Sequence, residues 1–253
     1  NPSVVMRPFV VCLTVAVLAV PRIAQSQIPE KFTNLQFFPK DIPHDTLVAR
    51  MRGITAALGI RCNYCHTGGS GQGLEGVDFA SDDKVEKKKA REMMNIAKRI
   101  NTELLANLPD RESPAVNVEC VTCHRGLPIP RTLARALVDV AMTKGADSAV
   151  AFYRKARNDH PDDGVYDLSE RSVSQAATTL VETGKVAEAI ALLDVNAELF
   201  PKSARALNQL AAAHEAAGHK DAAIEAYKKV LAVAPNDRQA RARLTALGAP
   251  PPE

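Results

Sequence analysis

The chain has 253 residues, a length that fits one or two domains. It contains no tryptophan, and its aromatic content is 4% against 46% hydrophobic residues, a balance that favours a mainly α-helical fold over a β-sandwich. The formal net charge of +3 gives no support for nucleic-acid binding, which usually requires a strongly basic domain.

The N-terminus has the layout of a secretory signal peptide. Arg7 precedes an apolar run from Phe9 to Val20, and the small residues of Ala24-Gln25-Ser26 follow where cleavage would occur. The run is too short to span a bilayer, which takes about 20 residues. Cys12 lies inside the run and not beside the cleavage site, which argues against a lipid anchor. We therefore predict that residues 1–26 are removed and that the protein is exported to the periplasm, cell envelope or exterior.

An amphipathic helix is predicted to follow a proline-containing linker. Asp45 can cap its start, and Gly59 is placed to end it. One face of this helix is apolar, with residues at spacings of four, three and four: Leu47, Met51, Ile54 and Leu58. A cysteine motif follows the helix at once.

Two five-residue segments, 62–66 and 120–124, share the pattern C-x-x-C-H, the attachment signature of a c-type haem. Two thiols on one helical turn can bond to the two vinyl groups of one porphyrin, and the adjacent histidine can then bind the iron. The repeated motif predicts two covalently bound haem c groups. The predicted attachment residues and proximal ligands are Cys62, Cys65 and His66 for the first haem, and Cys120, Cys123 and His124 for the second.

Other uses of two cysteine pairs fit the sequence less well. A four-thiolate zinc ribbon usually separates its pairs by about 15–20 residues, whereas 54 residues lie between Cys65 and Cys120. Zinc also gives no reason for a histidine after each pair. Two disulfides would suit an oxidising compartment, and a thioredoxin-like pair would need a preceding strand. Covalent haem is the interpretation that uses every residue of both motifs.

Methionines supply candidates for the sixth ligand of each iron. Met51 lies 15 residues before His66 on the preceding helix and is the candidate for the first haem. A helical methionine in an apolar stripe is more commonly a core residue, so a packing role is the alternative. His44, just before the same helix, is the spare histidine that could compete as a ligand.

A second long helix is predicted to begin at Ser81-Asp82-Asp83 and to end near Leu108. Met93 lies on its apolar face and is the candidate ligand of the second haem, with Met94 as the alternative. The start of this helix carries a basic cluster, which could receive an acidic redox partner but which we interpret as a solvated face. The cluster consists of Lys84, Lys87, Lys88, Lys89 and Arg91.

The segment from Asn34 to Gly126 resembles half of the tetrahaem cytochrome subunit of photosynthetic reaction centres. The resemblance lies in the stretches MRGITAALGIRCNYCH, FASDDKVEKKKAREMMNIAKRIN and VECVTCHRG. In that family a methionine on the helix before each of these motifs is an axial ligand, which implies this role for Met51 and Met93. The family has four haems, whereas this chain has two motifs.

After Pro130 the cysteines end and residues recur at a period of 34: Gly184 and Gly218, Ala189 and Ala223, Ile190 and Ile224, Pro201 and Pro235. This period resembles tetratricopeptide repeats, which are built from paired helices. An earlier copy of the repeat lies 40 residues, not 34, before the next copy, as an insertion near 164–169 would produce. We predict three helix pairs and a capping helix to about Leu247, with His214 packed between helices. The predicted pairs are 131–163, 170–203 and 204–237.

The sequence thus predicts a helical dihaem cytochrome domain at 27–130 and a tetratricopeptide solenoid at 131–253. If histidine and methionine occupy both sides of each iron, the expected function is electron transfer and not catalysis, with no small-molecule substrate. The repeats would dock a protein redox partner, a membrane complex or a second copy of the chain. A haem enzyme or gas sensor would need an open iron position, and a scaffold with structural haem is a third interpretation.

Overall fold

The computed structural model describes residues 28–69, 73–111, 113–162 and 164–250. The predicted signal peptide therefore lies outside the described residues. The described chain is mainly α-helical, as its composition predicted, with a small antiparallel pair of strands, β1 (Thr67–Gly68) and β2 (Val77–Asp78). Within these ranges, no helix has both the length and the apolar character needed to cross a membrane.

The first helix, α1 (His44–Leu58), ends as predicted at Gly59, which adopts the left-handed conformation with φ of 63°. Its start differs from the prediction. Pro43 occupies the N-cap position, and no side chain caps the helix there. The helix begins one residue before Asp45, so that this carboxylate lies in the first turn, 3.1 Å from Nδ1 of His44.

The second helix, α2 (Val85–Arg99), continues as a π-helical turn (Ile100–Leu104) and a 3₁₀ turn (Leu105–Asn107). The prediction that it begins at residues 81–83 is wrong. Oδ1 of Asp78 accepts from the backbone N–H groups of Ala80 and Ser81 at 2.8 and 2.9 Å, which folds this stretch into a turn. Such local bonds between side chains and backbone compete with helix formation.

The two cysteine motifs adopt different local structures. The first motif lies on a 3₁₀ turn (Cys62–Tyr64), and the second forms the short helix α3 (Cys120–His124). The backbone N–H of Gly126, just after α3, donates to the carbonyl of Ala57 near the end of α1 at 2.8 Å. The end of the helix that leads to the first motif is therefore tied to the end of the second motif.

The C-terminal half is a stack of helices that fall within the ranges predicted for three pairs and a cap. They are α4 (Leu133–Lys144), α5 (Ala146–Asp159), α6 (Glu170–Glu182), α7 (Val186–Leu199), α8 (Ala204–Ala216), α9 (Lys220–Val233) and α10 (Arg238–Ala246). Helix α4 packs on α6 and α6 on α8, whereas α5 packs on α7. The first helices of the pairs thus form one layer and the second helices another, as in a solenoid.

Most of the buried core lies in this helical stack. Tyr153 of α5 and Tyr227 of α9 are among its largest fully buried side chains. Among the described residues before 131, the buried side chains are only Leu47, Ala57 and Lys87. The N-terminal half is therefore not packed around a continuous core, because many of its apolar side chains line two cavities.

Candidate haem sites

The first cavity lies between α1, α2 and the first cysteine motif. Cys62, Cys65 and His66 form part of its wall, and Met51 lines it from α1. Aromatic side chains from the segment before α1 form much of the apolar wall of this cavity: Phe32, Phe37 and Phe38. Its volume is about 220 Å³.

The second cavity lies between α2 and the second cysteine motif and has a similar volume of about 220 Å³. Cys120, Cys123 and His124 line one side. Apolar side chains line the rest, mainly from α2 and the segment after α3: Ile96, Ala97, Ile100, Pro128 and Ile129. Each C-x-x-C-H motif thus has a cavity of its own.

The two cavities share a wall. Ile54, Cys65, Ala90 and Met94 line both of them. One cysteine of the first motif therefore lies at the boundary with the second site. The two sites are neighbours and not separate ends of the domain.

The four cysteines of the two motifs are free thiols. Burial is the main cause that raises the pKa of Cys65 and of Cys120 above the ordinary thiol value, so both are protonated at neutral pH. No group of three or more His, Cys, Asp or Glu side chains suited to a metal ion occurs within the ranges that the structure describes. The cysteine pairs lie instead on the walls of the cavities.

His66 has a half-buried imidazole whose ring lies 5.0 Å from the ring of Phe79, centroid to centroid. Burial, with the nearby Lys87 ammonium, lowers the pKa of His66 to about 4. The Phe79 carbonyl opposes part of this shift, but Nδ1 of His66 is buried without a hydrogen bond of ordinary geometry. The imidazole is therefore neutral at physiological pH, which is the form that binds metals.

His124 has a defined partner. Its Nδ1 lies 2.8 Å from the carbonyl oxygen of Leu127, and the Leu127 N–H donates to the His124 carbonyl at 2.8 Å. A carbonyl oxygen can only accept, so Nδ1 carries the proton and the lone pair of Nε2 is free for a metal. The residue after this histidine, Arg125, has a φ of 48°, which turns the chain back toward the motif.

The candidate methionine ligands lie on the walls of the two cavities. Met51 lines only the first cavity, and Met93 lines only the second. Met94 lines both, because it lies at the shared wall. Met93 is 49% exposed. Met51 and Met93 remain the predicted sixth ligands, and Met94 remains the alternative for the second site.

The prediction of a solvated basic face at the start of α2 is wrong for two of its five residues. Lys87 is only 8% exposed, and its ammonium donates to three backbone carbonyls, those of Phe79, Ala80 and Ser81, at 2.9, 3.1 and 2.7 Å. The carboxylate of Asp82 lies 3.2 Å from Lys87 and 2.8 Å from Arg91. Hydrogen bonds, chiefly from Arg91, hold the pKa of Asp82 well below its usual range. The ion pairs of Asp82 thus hold Lys87 and Arg91 in place on the wall of the first cavity.

Asn101 is a site residue that the sequence interpretation missed. Its Nδ2 donates to the Val118 carbonyl at 2.9 Å, and its Oδ1 accepts from the Val118 N–H at 2.7 Å. This paired contact fixes the chain two residues before Cys120. Asn101 lies in the π-helical turn, a feature often found at functional sites. No periodic pattern in the sequence marks such a contact.

Two other histidines lie away from the cavities. The ring of His44 stacks on Phe32 with centroids 5.4 Å apart, and His44 is not among the residues that line either cavity. His214 is partly buried in α8, with its Nδ1 3.4 Å from Nδ1 of His219. Burial lowers the pKa of His214, in keeping with the predicted packing role.

The residues present fit a haem c in each cavity. Both sites combine a thiol pair, an imidazole, a thioether and apolar walls, which together are the donor set and surroundings of a c-type haem. The buried Nδ1 of His66 and the proton on Nδ1 of His124 leave the other ring nitrogen of each histidine for iron. Lys31, Arg52 and Arg61 line the first cavity and have no acidic partner within the part of the chain that the structure describes, so they could pair with porphyrin carboxylates.

Comparison with known proteins gives two family matches. Residues 17–160, more than half of the chain, match the model of the photosynthetic reaction centre cytochrome C subunit. This match extends beyond residue 130 and includes α4 and α5. Residues 204–237, which contain α8 and α9, match the tetratricopeptide repeat model.

Three similar proteins were found. Cytochrome c-554 of Chloroflexus aurantiacus is 35% identical over 75 residues, which cover 30% of this chain and 16% of that protein. Photosynthetic reaction center cytochrome c subunits of Rubrivivax gelatinosus and Thermochromatium tepidum are 33% identical over 72 residues and 30% identical over 104 residues. The latter two matches cover 28% and 40% of this chain. The chain spans between 16% and 22% of the length of these relatives.

Proposed function

The chain belongs to the photosynthetic reaction centre cytochrome C subunit family, and on that premise we propose that it is an exported dihaem c-type cytochrome that transfers electrons. The observation that carries the proposal is the pair of adjoining cavities, each lined by a complete C-x-x-C-H motif and a methionine. A bound haem c supplies an iron that exchanges one electron between its ferric and ferrous forms.

In this proposal the chain attaches each haem through its thiols. Cys62 and Cys65 would hold the first porphyrin through two thioether bonds, and Cys120 and Cys123 would hold the second.

Two protein ligands at each iron would close it to other molecules. His66 and Met51 would hold the first iron, and His124 and Met93 would hold the second. A thioether ligand favours the ferrous form and raises the reduction potential. With no open position, neither site binds a substrate, so each can only accept and donate electrons.

The shared wall supports direct electron exchange between the two sites. Because Ile54, Cys65, Ala90 and Met94 line both cavities, no further layer of protein separates them. An electron that enters at one site then has a short route to the other.

This function is tested by reaction of the reduced protein with carbon monoxide, together with a potentiometric titration. A closed electron carrier should show two one-electron couples and an absorption spectrum that carbon monoxide leaves unchanged. Ready binding of carbon monoxide by the unmodified ferrous protein would instead support a haem enzyme or gas sensor with one open position.

The proposed role of the helical repeats, residues 131–253, is to dock a protein redox partner, in a membrane complex or as a second copy. The match of residues 204–237 to tetratricopeptide repeats supports this role, because solenoids of this kind present extended binding surfaces. Docking would raise the effective concentration of the partner at the haem sites.

A photoreactive amino acid at one position of each layer tests this docking role. Gln175 is exposed on α6, in the layer of first helices, and Lys155 is exposed on α5, in the other layer. Cross-linking in intact cells should join Gln175, and not Lys155, to one redox protein or to a second copy of the chain. Equal cross-linking from both positions, or none from Gln175, would contradict the proposed role.

A further inference from the structure

The turn that follows the second haem motif is held from two sides. On one side, the Gly126 N–H donates to the Ala57 carbonyl at the end of α1. On the other, the side chain of Leu127 packs against a core to which α4 to α8 contribute. A Cβ atom placed on Gly126 would lie 3.6 Å from Cγ2 of Val165, which packs against the same core from the segment between α5 and α6. The turn is therefore not a free linker between two halves.

Leu127 connects this core to the proximal histidine. Its side chain contacts the repeat core, its carbonyl accepts the Nδ1–H of His124 at 2.8 Å, and its N–H donates to the His124 carbonyl at 2.8 Å. A displacement of the Leu127 side chain must therefore move the atom that orients the imidazole. Close-packed interiors transmit such displacements, because they have little free volume to absorb them.

We propose that Leu127 is a positioning residue through which the repeats set the reduction potential of the second haem and leave that of the first unaltered. The inference rests on the proposed function, because it requires a haem at residues 120–124. It goes beyond docking, because it gives the repeats a part in the electron-transfer chemistry itself.

The direction of the effect follows from the hydrogen bond. A bond from Nδ1–H to a carbonyl makes the imidazole a stronger donor, which stabilises ferric iron and lowers the reduction potential. If Leu127 loses its packing, the bond lengthens and the potential of the second haem rises. His66 has no hydrogen bond of ordinary geometry at Nδ1 and is followed by the β1–β2 hairpin, not by the repeats. The first haem should therefore not respond.

Two substitutions break the contact from opposite sides. Leu127→Ala removes the side chain but keeps the carbonyl that accepts from His124. Val165→Ala changes only the repeat side of this packing, at the side chain that lies beside Gly126, in the same turn as Leu127. Leu127→Met conserves volume and should preserve the packing. Leu244→Ala is the matched control, because Leu244 is fully buried in a second repeat cluster, formed by α8 to α10, that does not include Leu127.

The experiment is a potentiometric titration of each full-length, haem-loaded variant, with electron paramagnetic resonance of the ferric form. The couple that persists in Cys62→Ala/Cys65→Ala belongs to the second haem. We expect Leu127→Ala and Val165→Ala to raise that couple and to change its g values, while the first couple stays constant. Leu127→Met and Leu244→Ala should leave both couples unchanged. If Leu127→Ala does not accumulate, Val165→Ala decides the question.

Unchanged couples in both contact variants, a shift of both couples together, or an equal effect of Leu244→Ala would overturn the inference. The intact mass of the unmodified protein is measured first. A missing second haem contradicts the proposed function, whereas two haems with potentials that do not respond to Leu127 or Val165 contradict only this inference.

Discussion

The two C-x-x-C-H motifs differ in what surrounds their histidines. His66 has a buried Nδ1 without an ordinary hydrogen bond and lies beside the cationic groups of Lys87 and Arg91. His124 donates to the Leu127 carbonyl, and the turn that follows it is tied both to α1 and to the repeats. The motif thus specifies the attachment chemistry, and the neighbouring segments specify the hydrogen bonding and surroundings of each histidine. Two sites with the same five-residue pattern should therefore have different properties.

The largest expected effect comes from removing one sixth ligand at a time. Met51→Ala should open the first iron, and Met93→Ala should open the second, because each methionine lines only one cavity. In each variant one iron of the two should bind carbon monoxide, and the potential of that haem should fall. The reaction is followed by absorption spectroscopy of the reduced protein.

Met94→Ala is the matched control, since Met94 neighbours Met93 and lines the shared wall. It should leave both irons closed. If Met94→Ala opens the second iron and Met93→Ala does not, the ligand of the second site is Met94.

The contact between the end of α1 and the turn after the second motif can be disrupted at Gly59. A Cβ atom there would lie 2.0 Å from the carbonyl oxygen of Gly126, and the positive φ disfavours any other residue. Gly59→Ala should lower the free energy of unfolding by at least about 2 kcal/mol, because the left-handed conformation alone costs about 1–2 kcal/mol. Denaturant titration of the haem-loaded protein measures the change.

Gly53 provides the contrasting substitution, at a position with room for a side chain. It lies in the interior of α1, and a Cβ atom there would meet nothing within 4 Å. Gly53→Ala should therefore stabilise the protein by about 0.5–1 kcal/mol, because alanine is the better helix former. Equal effects of the two substitutions would show that Gly59 and Gly126 do not hold the sites together.

A smaller effect on stability is expected from the substitution of Asp82, which forms ion pairs beside the first site. Its pKa is lowered in the folded protein, so its ion pairs with Arg91 and Lys87 contribute stability above the ordinary carboxyl pKa of about 4. This contribution is lost as the pH falls through the folded pKa. Asp82→Asn should lower the thermal unfolding temperature at pH 7, and the difference from the unmodified protein should shrink as the pH falls below about 4.

Asp83→Asn is the control for this comparison, because Asp83 is exposed and forms no ion pair with the residues that the structure describes. It should change the unfolding temperature little at any pH. A difference for Asp82→Asn that stays constant with pH would mean that the charge of Asp82 is not the cause.

Local and periodic features of this fold could be predicted from the sequence. Gly59 marked the end of α1, and the 34-residue period placed the helices of the repeats, because helix ends and repeat packing depend on residues at fixed offsets. The predicted start of α2 was wrong, because the side chain of Asp78 forms hydrogen bonds with the backbone up to Ser81 that compete with helix formation.

The residues of each motif were predictable for the same reason, whereas their surroundings were not. Nothing in the sequence distinguishes Lys87 from an exposed lysine. It is buried because the backbone carbonyls of residues 79–81 accept hydrogen bonds from its ammonium group. The contacts of Asn101 with Val118 and of Leu127 with the repeats join segments that are distant in sequence or follow no period. Such long-range contacts leave no pattern in a single sequence.

We propose that the two copies of one motif hold two haems in one chain. The intact mass of the purified protein, measured after complete denaturation, decides this, because covalent haem remains attached and other cofactors are lost. The expected mass is that of the processed polypeptide plus two haem groups. A mass with one haem or none would contradict the claim.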